Sequence, residues 1–387
     1  MPKSVDALIN PAMLVWIRAQ EGYSPDEMAR KAGTTETRYL AWEQGGKRPT
    51  LQQVFDLAYA CRRPVSLFYF REPPPAETMP ADFRRLRGTQ AQELAPQTRL
   101  EIRLAKERRQ AFLEMAEKLS GQADAQQWGY VSSATVQSSV LDVAGRVREL
   151  LGVSLQTQMN WDHEYEAFRA WKDAVERAGM LVFQCSLELQ ELRAAAIVEV
   201  PYPALLLNTK DSAKARIFSL LHEVGHVFLG QSAISSVWDS DYDTERYCNQ
   251  LAAEVLLPRD TLRADPLVVA LRGQMASVDD LRALSRKYWV SMHAVAIRLV
   301  ELHLQPEALR QRYETQLRRE SATPIPAGGG GPSYYVTQVS HLGVPLVATT
   351  LRAADEDFIT VIDAARLLGV KAGHLEKLRE HLVTAAK

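Results

Sequence analysis

From the amino end, apolar positions recur every three or four residues in short stretches separated by glycine, proline and capping residues, which is the pattern of short amphipathic helices. Ala12 to Gln20 carries Met13, Leu14, Trp16 and Ile17 and breaks at Gly22. Ser24-Pro25-Asp26-Glu27 is a capping signature with proline at the first helical position, and the helix it opens runs to Ala32 before Gly33 turns the chain. Thr34 or Thr35 caps a third helix through Trp42, and a fourth spans Leu51 to Cys61. Short helices with a glycine turn between the second and third predict a helix-turn-helix. Pro64 to Phe70 is a short apolar tail, and the proline-rich run from Arg71 to Pro80 reads as a stiff linker.

A long charged helix follows, Gln97 to Leu119, with Glu101, Arg103, Lys106, Glu107, Arg108 and Arg109. Its acids partly balance its bases, so it reads as a solvated connector. Val140 to Leu151 is amphipathic and ends at Gly152. The pattern then changes. Phe168 to Ala178 is helical, with Trp171 and Val175 four apart. Gly179 stops it, and Met180–Phe183, Ala194–Val200 and Ala204–Asn208 read as strands. Phe218 to Leu229 is apolar nearly all round, which predicts a buried helix. Another helix spans Glu245 to Pro258. Two more, Val278–Tyr288 and Ser291–Leu304, flank the tight turn at Tyr288-Trp289-Val290-Ser291, with Ser277 and Asp280 as the cap of the first. This pair reads as a lid or support for whatever site the core carries. Gly328 to Pro332 is a flexible break before a tail of helices over Tyr334–Leu351 and Ile359–Val383, in which Thr360 to Val370 has the look of a second helix-turn-helix pair.

Composition narrows the class. In 387 residues, 46 Lys and Arg against 47 Asp and Glu leave a net charge of −1, so any nucleic-acid surface has to be local. The length predicts two or three domains. Three scattered cysteines, Cys61, Cys185 and Cys248, argue against a disulfide framework and for a reducing compartment. The absence of a signal peptide or an apolar run of membrane-spanning length points to a cytoplasmic protein with no membrane partner.

The chemistry concentrates in the buried helix. Leu221-His222-Glu223-Val224-Gly225-His226-Val227 places two histidines four residues apart, on one helical face, with a glutamate after the first. Two neutral imidazoles on one face suit zinc, and Glu223 can reach a water on that ion as general base. Buried histidine and glutamate in so apolar a helix have to be paired or bind metal. Gly225 costs roughly 1 kcal/mol against alanine inside a helix, which makes sense if something packs closely on the backbone there. A catalytic zinc needs a third protein ligand. Downstream candidates are Asp239, Asp241, Asp243, Glu245 and Glu254. Glu245 and Glu254, nine residues apart, face opposite ways, so both cannot bind one ion. Asn249 shares a face with Glu245 and can orient it as an outer partner. Cys248 reads as a small buried hydrophobe, not a ligand. Tyr242, Tyr247 and His163 are the available candidates for oxyanion stabilisation, each with a simpler structural reading. An edge strand to pair with an extended substrate is expected from the Ala194–Asn208 region.

The runs Ser219 to His226, Glu245 to Asn249 and Leu251 to Pro258 together resemble the ImmA/IrrE family of metallopeptidases. The resemblance implies zinc held by His222, His226 and Glu245, with Glu223 as catalytic base. The family pattern often ends Leu-Met-Pro where this chain has Leu256-Leu257-Pro258. It further implies a regulatory endopeptidase whose protein substrate is a helix-turn-helix repressor or antitoxin, in a stress, mobile-element or phage-defence switch. Over about sixty residues, Gln20, Ser24, Met28-Ala29, Ala32-Gly33, Trp42-Glu43-Gln44-Gly45 and Arg48-Pro49-Thr50 resemble the XRE (Cro/CI-like) DNA-binding family. That implies a third helix in the major groove, with Thr35, Glu36, Thr37 and Arg38 approaching base edges, Tyr39 and Leu40 beside them, and Lys47 and Arg48 near phosphates. Glu36 is repelled by phosphate, so the domain can instead serve to bind another helix-turn-helix protein. The expected fold is multidomain and mainly α: an all-α helix-turn-helix domain (8–70), a linker and helical connector (71–155), an α+β zincin-like metallopeptidase core with helical support (156–320), and a small C-terminal helical module (333–387). The C-terminal module is open to three roles, joining two copies into a homodimer, binding a partner or covering the catalytic cleft. The competing reading is a DNA-binding regulator or antitoxin whose protease-like core is inactive or secondary.

Overall fold

The computed structural model describes residues 5–75, 94–121, 125–188, 191–235, 242–320 and 333–385. The expected break at 328–332, the second half of the 71–80 linker and the ligand candidates Asp239 and Asp241 lie outside them. The chain divides into two compact units, 1–104 and 105–387, and the division falls within one helix.

The first unit contains α1 (Pro11–Glu21), α2 (Pro25–Lys31), α3 (Glu36–Glu43) and α4 (Leu51–Ala60). Each helix start has a side-chain cap. Asn10 accepts from the Ala12 N–H, Ser24 and Glu27 form a reciprocal capping box, Thr35 caps α3, and Thr50 with Gln53 boxes α4. Met13, Leu14, Ile17, Met28, Tyr39, Trp42, Val54, Leu57 and Phe68 fill one core. Helix α5 (Pro96–Ser120) follows, and it is less solvated than its charge suggested. Arg103 is buried, donating to the Cys61 carbonyl (2.6 Å) and reaching Glu21, which also holds Arg63 at 2.8 Å. Arg109, in the second unit, donates to Glu199 and to the Pro201 and Tyr202 carbonyls at 2.6–2.8 Å. A helix with interspersed charges reads as solvated from sequence, because the partners that bury an arginine lie far along the chain.

In the second unit α6 (Val140–Leu151), α7 (Leu155–Met159) and α8 (Glu164–Arg177) precede the strands β1 (Leu181–Cys185), β2 (Ala194–Ile197) and β3 (Ala204–Asn208). Then come α9 (Ala213–Leu229), β4 (Ala233–Ser235) and α10 (Tyr242–Leu256). Helices α11 (Arg259–Ala264), α12 (Pro266–Ala270), α13 (Val278–Tyr288), α14 (Met292–Glu301) and α15 (Glu307–Glu320) complete the support. The four strands lie in the order β1-β3-β2-β4, with β1 parallel to β3 and β2 antiparallel to both β3 and β4. Every residue of β1, β2 and β3 is buried, as the apolar runs predict. The expectation that Ala194–Asn208 supplies an edge is overturned: β2 and β3 are interior, paired on both sides, and the edges are β1 and β4. Ala233–Ser235 is too short to read as a strand and acquires that identity only by pairing with β2.

Helix α6, placed with the connector on sequence, belongs to the core around α9 and α10. Val143, Ala144, Val147 and Leu151 are buried in it, and Arg148 donates to the Val255 carbonyl of α10 at 2.8 Å. Helices α13 and α14 share the same core as support. At the half-buried first turn of α14, His293 stacks on Tyr313 of α15.

Asp265 caps α12 by accepting from the Leu267 N–H (2.9 Å), and it also takes Lys287 Nζ and Tyr288 Oη, both at 2.7 Å. Burial raises its pKa, but the donors outweigh it and hold the carboxyl below its usual range. The folded pKa lies below the unfolded one, so this stabilisation is present at neutral pH and drains away as pH falls through the folded value. Asp265→Asn is expected to cost about 1.5–3 kcal/mol at neutrality and to flatten the acid limb of stability, as read by urea midpoints over a pH series.

The tail forms α16 (Tyr334–Leu342), α17 (Val344–Asp355), α18 (Val361–Leu367) and α19 (Leu375–Ala385). Helix α16 packs on β1, where Gln184 donates to the Ser340 carbonyl (2.7 Å) and to Ser340 Oγ (2.8 Å). Gly343 opens α17 at φ +78°, and a Cβ there would lie 2.7 Å from Glu176 Oε1 and 2.9 Å from the Val182 carbonyl. The tail is therefore docked on the core. Among the described residues no helix is long and apolar enough to cross a membrane.

Candidate metal centre

Helix α9 begins at Ser212, whose hydroxyl accepts from the Ala215 N–H, and ends at Gly230 in the left-handed region, φ +72°. Twelve of its seventeen residues are buried, including His222, Glu223, Gly225 and His226, so the polar trio sits on a helix with no solvated alternative. Helix α10 crosses it closely. A Cβ on Gly225 would meet Cys248 Sγ at 3.1 Å and Cys248 Cβ at 3.3 Å, which is the close approach expected from a glycine in this position. Gly225→Val is expected to force the two helices apart, costing about 1–3 kcal/mol of stability and weakening zinc uptake, as read by thermal melting and chelator competition.

That crossing delivers Glu245. Its Oε2 lies 3.0 Å from His222 Nε2 and its Oε1 3.2 Å from His226 Nε2, while the two Nε2 atoms are 3.1 Å apart. All three side chains are buried, and they form a group able to hold a metal ion. Asn249, one turn after Glu245, places Oδ1 3.0 Å from His222 Nδ1. An amide oxygen only accepts, so His222 carries its proton on Nδ1 and turns the Nε2 lone pair toward Glu245. Asn249 thus orients His222, where the sequence reading had it orienting Glu245. His226 Nδ1 is buried with no hydrogen-bond partner among the described residues.

Two imidazole nitrogens and a carboxylate within 3.2 Å, out of bulk water, repel one another unless a proton or a cation lies between them. The donor set is the one zinc takes, and its ligands stand about 2.0–2.2 Å from the ion. The residues present therefore fit zinc. Burial disfavours the ionised Glu245 carboxylate, but when protons stand in for a cation on the two Nε2 atoms, hydrogen bonds and the fields of His222 and His226 prevail and hold its pKa at about 2. The site keeps a ready anion for a cation.

The other candidates separate cleanly. Glu254, buried on the far side of α10, accepts from the Arg259 N–H (3.0 Å) and Nε (3.2 Å) and pairs with Arg298 of α14. Asp243 is exposed on the first turn of α10. Burial, then the fields of Glu245 and Glu223, push the Cys248 thiol well up, so it stays protonated and packs on Gly225. His163 caps α8, its Nδ1 accepting from the Glu166 N–H at 3.1 Å, which gives it a structural role. The Tyr247 hydroxyl is buried without a hydrogen bond among the described residues.

In the first unit, Thr35, Glu36, Thr37 and Arg38 are exposed together at the start of α3, and Lys47 and Arg48 are exposed in the following loop. Tyr39, expected beside them, is fully buried and stacks edge-on against Trp42 at 5.8 Å. On a helix of eight residues only one face is free, and position 39 points inward.

Residues 175–300 match the model of a peptidase family described as the IrrE N-terminal-like domain, and residues 14–68 match a model described as helix-turn-helix. Both resemblances read from the motifs are borne out by these matches. No curated protein matches the chain.

Proposed function

We propose that the second unit is a zinc endopeptidase that cuts a specific protein, and that the first unit binds DNA or brings that protein to it. The observation that carries this reading is the convergence of His222, His226 and Glu245, with buried Glu223 between the two histidines in sequence. His222 and His226 of α9 and Glu245 of α10 would hold the ion. Bound zinc supplies Lewis acidity, lowering the pKa of water to about 7 and polarising a peptide carbonyl. Glu223 takes the proton from the attacking water on a carboxylate oxygen and passes it to the leaving nitrogen, so no covalent intermediate with the protein is required. Asn249 keeps the His222 proton on Nδ1, so that Nε2 stays available. The apolar walls of α9 strengthen every charge interaction at the site by excluding water.

A helix-turn-helix protein is the substrate class we favour, because a helix-turn-helix unit on the same chain offers a matching surface or a shared operator. Co-expression with a neighbouring helix-turn-helix repressor or antitoxin is expected to give metal-dependent fragments. An intact partner in the presence of loaded protein would count against the reading.

For DNA, Lys47 and Arg48 take phosphates and Arg38 takes a base edge. Lys47→Ala is expected to weaken operator binding uniformly and to reduce the salt slope of log K by about 1, while Arg38→Ala relaxes sequence preference. An unchanged slope in fluorescence-anisotropy titrations would remove Lys47 from the interface.

A further inference from the structure

Glu245 occupies the fourth position of α10, within the first turn, where backbone N–H groups lack intrahelical partners and helices open most readily. A ligand there needs an anchor. The residue before it, Thr244, is buried, and its Oγ1 donates to Gln231 Oε1 at 3.1 Å. Gln231 follows the glycine that ends α9, and its N–H donates to the His226 carbonyl at 3.1 Å. The next residue, Ser232, accepts from the Val198 N–H of the β2–β3 connection at 2.9 Å. Gln231 is thereby held from both sides, and one hydrogen bond ties the first turn of α10 to the turn of α9 that carries His226.

Resting on the metallopeptidase reading, we infer that Thr244 is a positioning residue: through Gln231 it fixes the Glu245 carboxylate against His226 and so sets the affinity of the centre for zinc. Neither residue belongs to the His-Glu-x-x-His pattern or to the ligand set. Groups hydrogen-bonded directly to metal ligands govern affinity over about 10- to 100-fold, and this pair, acting through the backbone of Glu245 and His226, is expected at the lower end.

The test is zinc affinity by chelator competition on the full chain, with the thermal midpoint of the metal-free protein measured in parallel. Thr244→Val and Gln231→Leu are each expected to weaken zinc binding by about 10-fold. The double variant should be no weaker than either single one, because the two side chains act through one bond. Thr244→Ser, which keeps the hydroxyl, is expected to restore affinity. The metal-free midpoint should stay at its wild-type value throughout. Unchanged affinity in Thr244→Val, losses that multiply in the double variant, or a metal-free midpoint that falls in step with affinity would each overturn the inference while leaving the metallopeptidase reading in place. A wild-type chain that takes up no zinc overturns that reading and the inference with it.

Discussion

Glu223→Gln is expected to keep the metal and lose the reaction. Glutamine has nearly the same volume, so the fully buried site on α9 stays packed. It is not among the three converging ligands, so zinc content should remain stoichiometric. It cannot take a proton from water or return one to the leaving nitrogen, and general acid–base participation is worth about 100- to 10,000-fold. We expect the upper end, because one carboxylate serves both transfers. The measurement pairs elemental zinc with cleavage of the co-expressed partner. Cleavage at wild-type rate by a zinc-loaded Glu223→Gln protein would remove the general base and favour a regulator whose core is only protease-shaped.

The second large effect separates two glutamates nine residues apart on one helix. Glu245→Ala deletes a ligand and leaves His222 and His226 facing each other at 3.1 Å, so zinc should be lost and activity with it. Its metal-free fold should lose less than that of Glu254→Ala, since the deleted carboxylate takes its own burial cost with it and its two imidazole neighbours can become neutral, leaving no buried charge unpaired. Glu254→Ala should do the reverse. It takes the buried carboxylate from Arg298, leaving that guanidinium the Leu257 carbonyl and the half-exposed Glu301 at 3.6 Å, and breaking a buried pair by removing one partner costs about 3–5 kcal/mol, here toward the lower end. Zinc should still bind to whatever fraction remains folded. Melting in chelator ranks the two variants one way, and zinc titration ranks them the other. The same ranking in both experiments would mean that the two residues are not divided as the structure divides them.

Much of this division was legible beforehand. The four-residue spacing of His222 and His226, the glycine between them and the opposite faces of Glu245 and Glu254 are periodic facts, and a helix converts period into direction. The first-unit helices were equally legible, because Asn10, Ser24, Thr35 and Thr50 cap their own helices through bonds that span two or three residues. Signals from partners 90 residues away were not. Arg109 read as a surface charge until the carbonyls of Pro201 and Tyr202 surrounded it. Tyr39 read as a neighbour of the residues expected to approach DNA, because a period alone does not say which face the rest of the unit covers. For α6 a signal existed in its apolar stripe, but nothing local says which partner the stripe meets.

Local chemistry, then, fixed most of the elements, their caps and which helix carries the candidate metal ligands, since each depends on residues within one or two turns. Tertiary packing alone decided that β4 forms an edge, that the tail docks on β1, and that Asn249 serves His222. It also decided that Thr244 and Gln231 meet beside the centre. Those outcomes depend on which distant surfaces come into contact, and a contact across a long loop leaves no periodic trace in the chain that makes it.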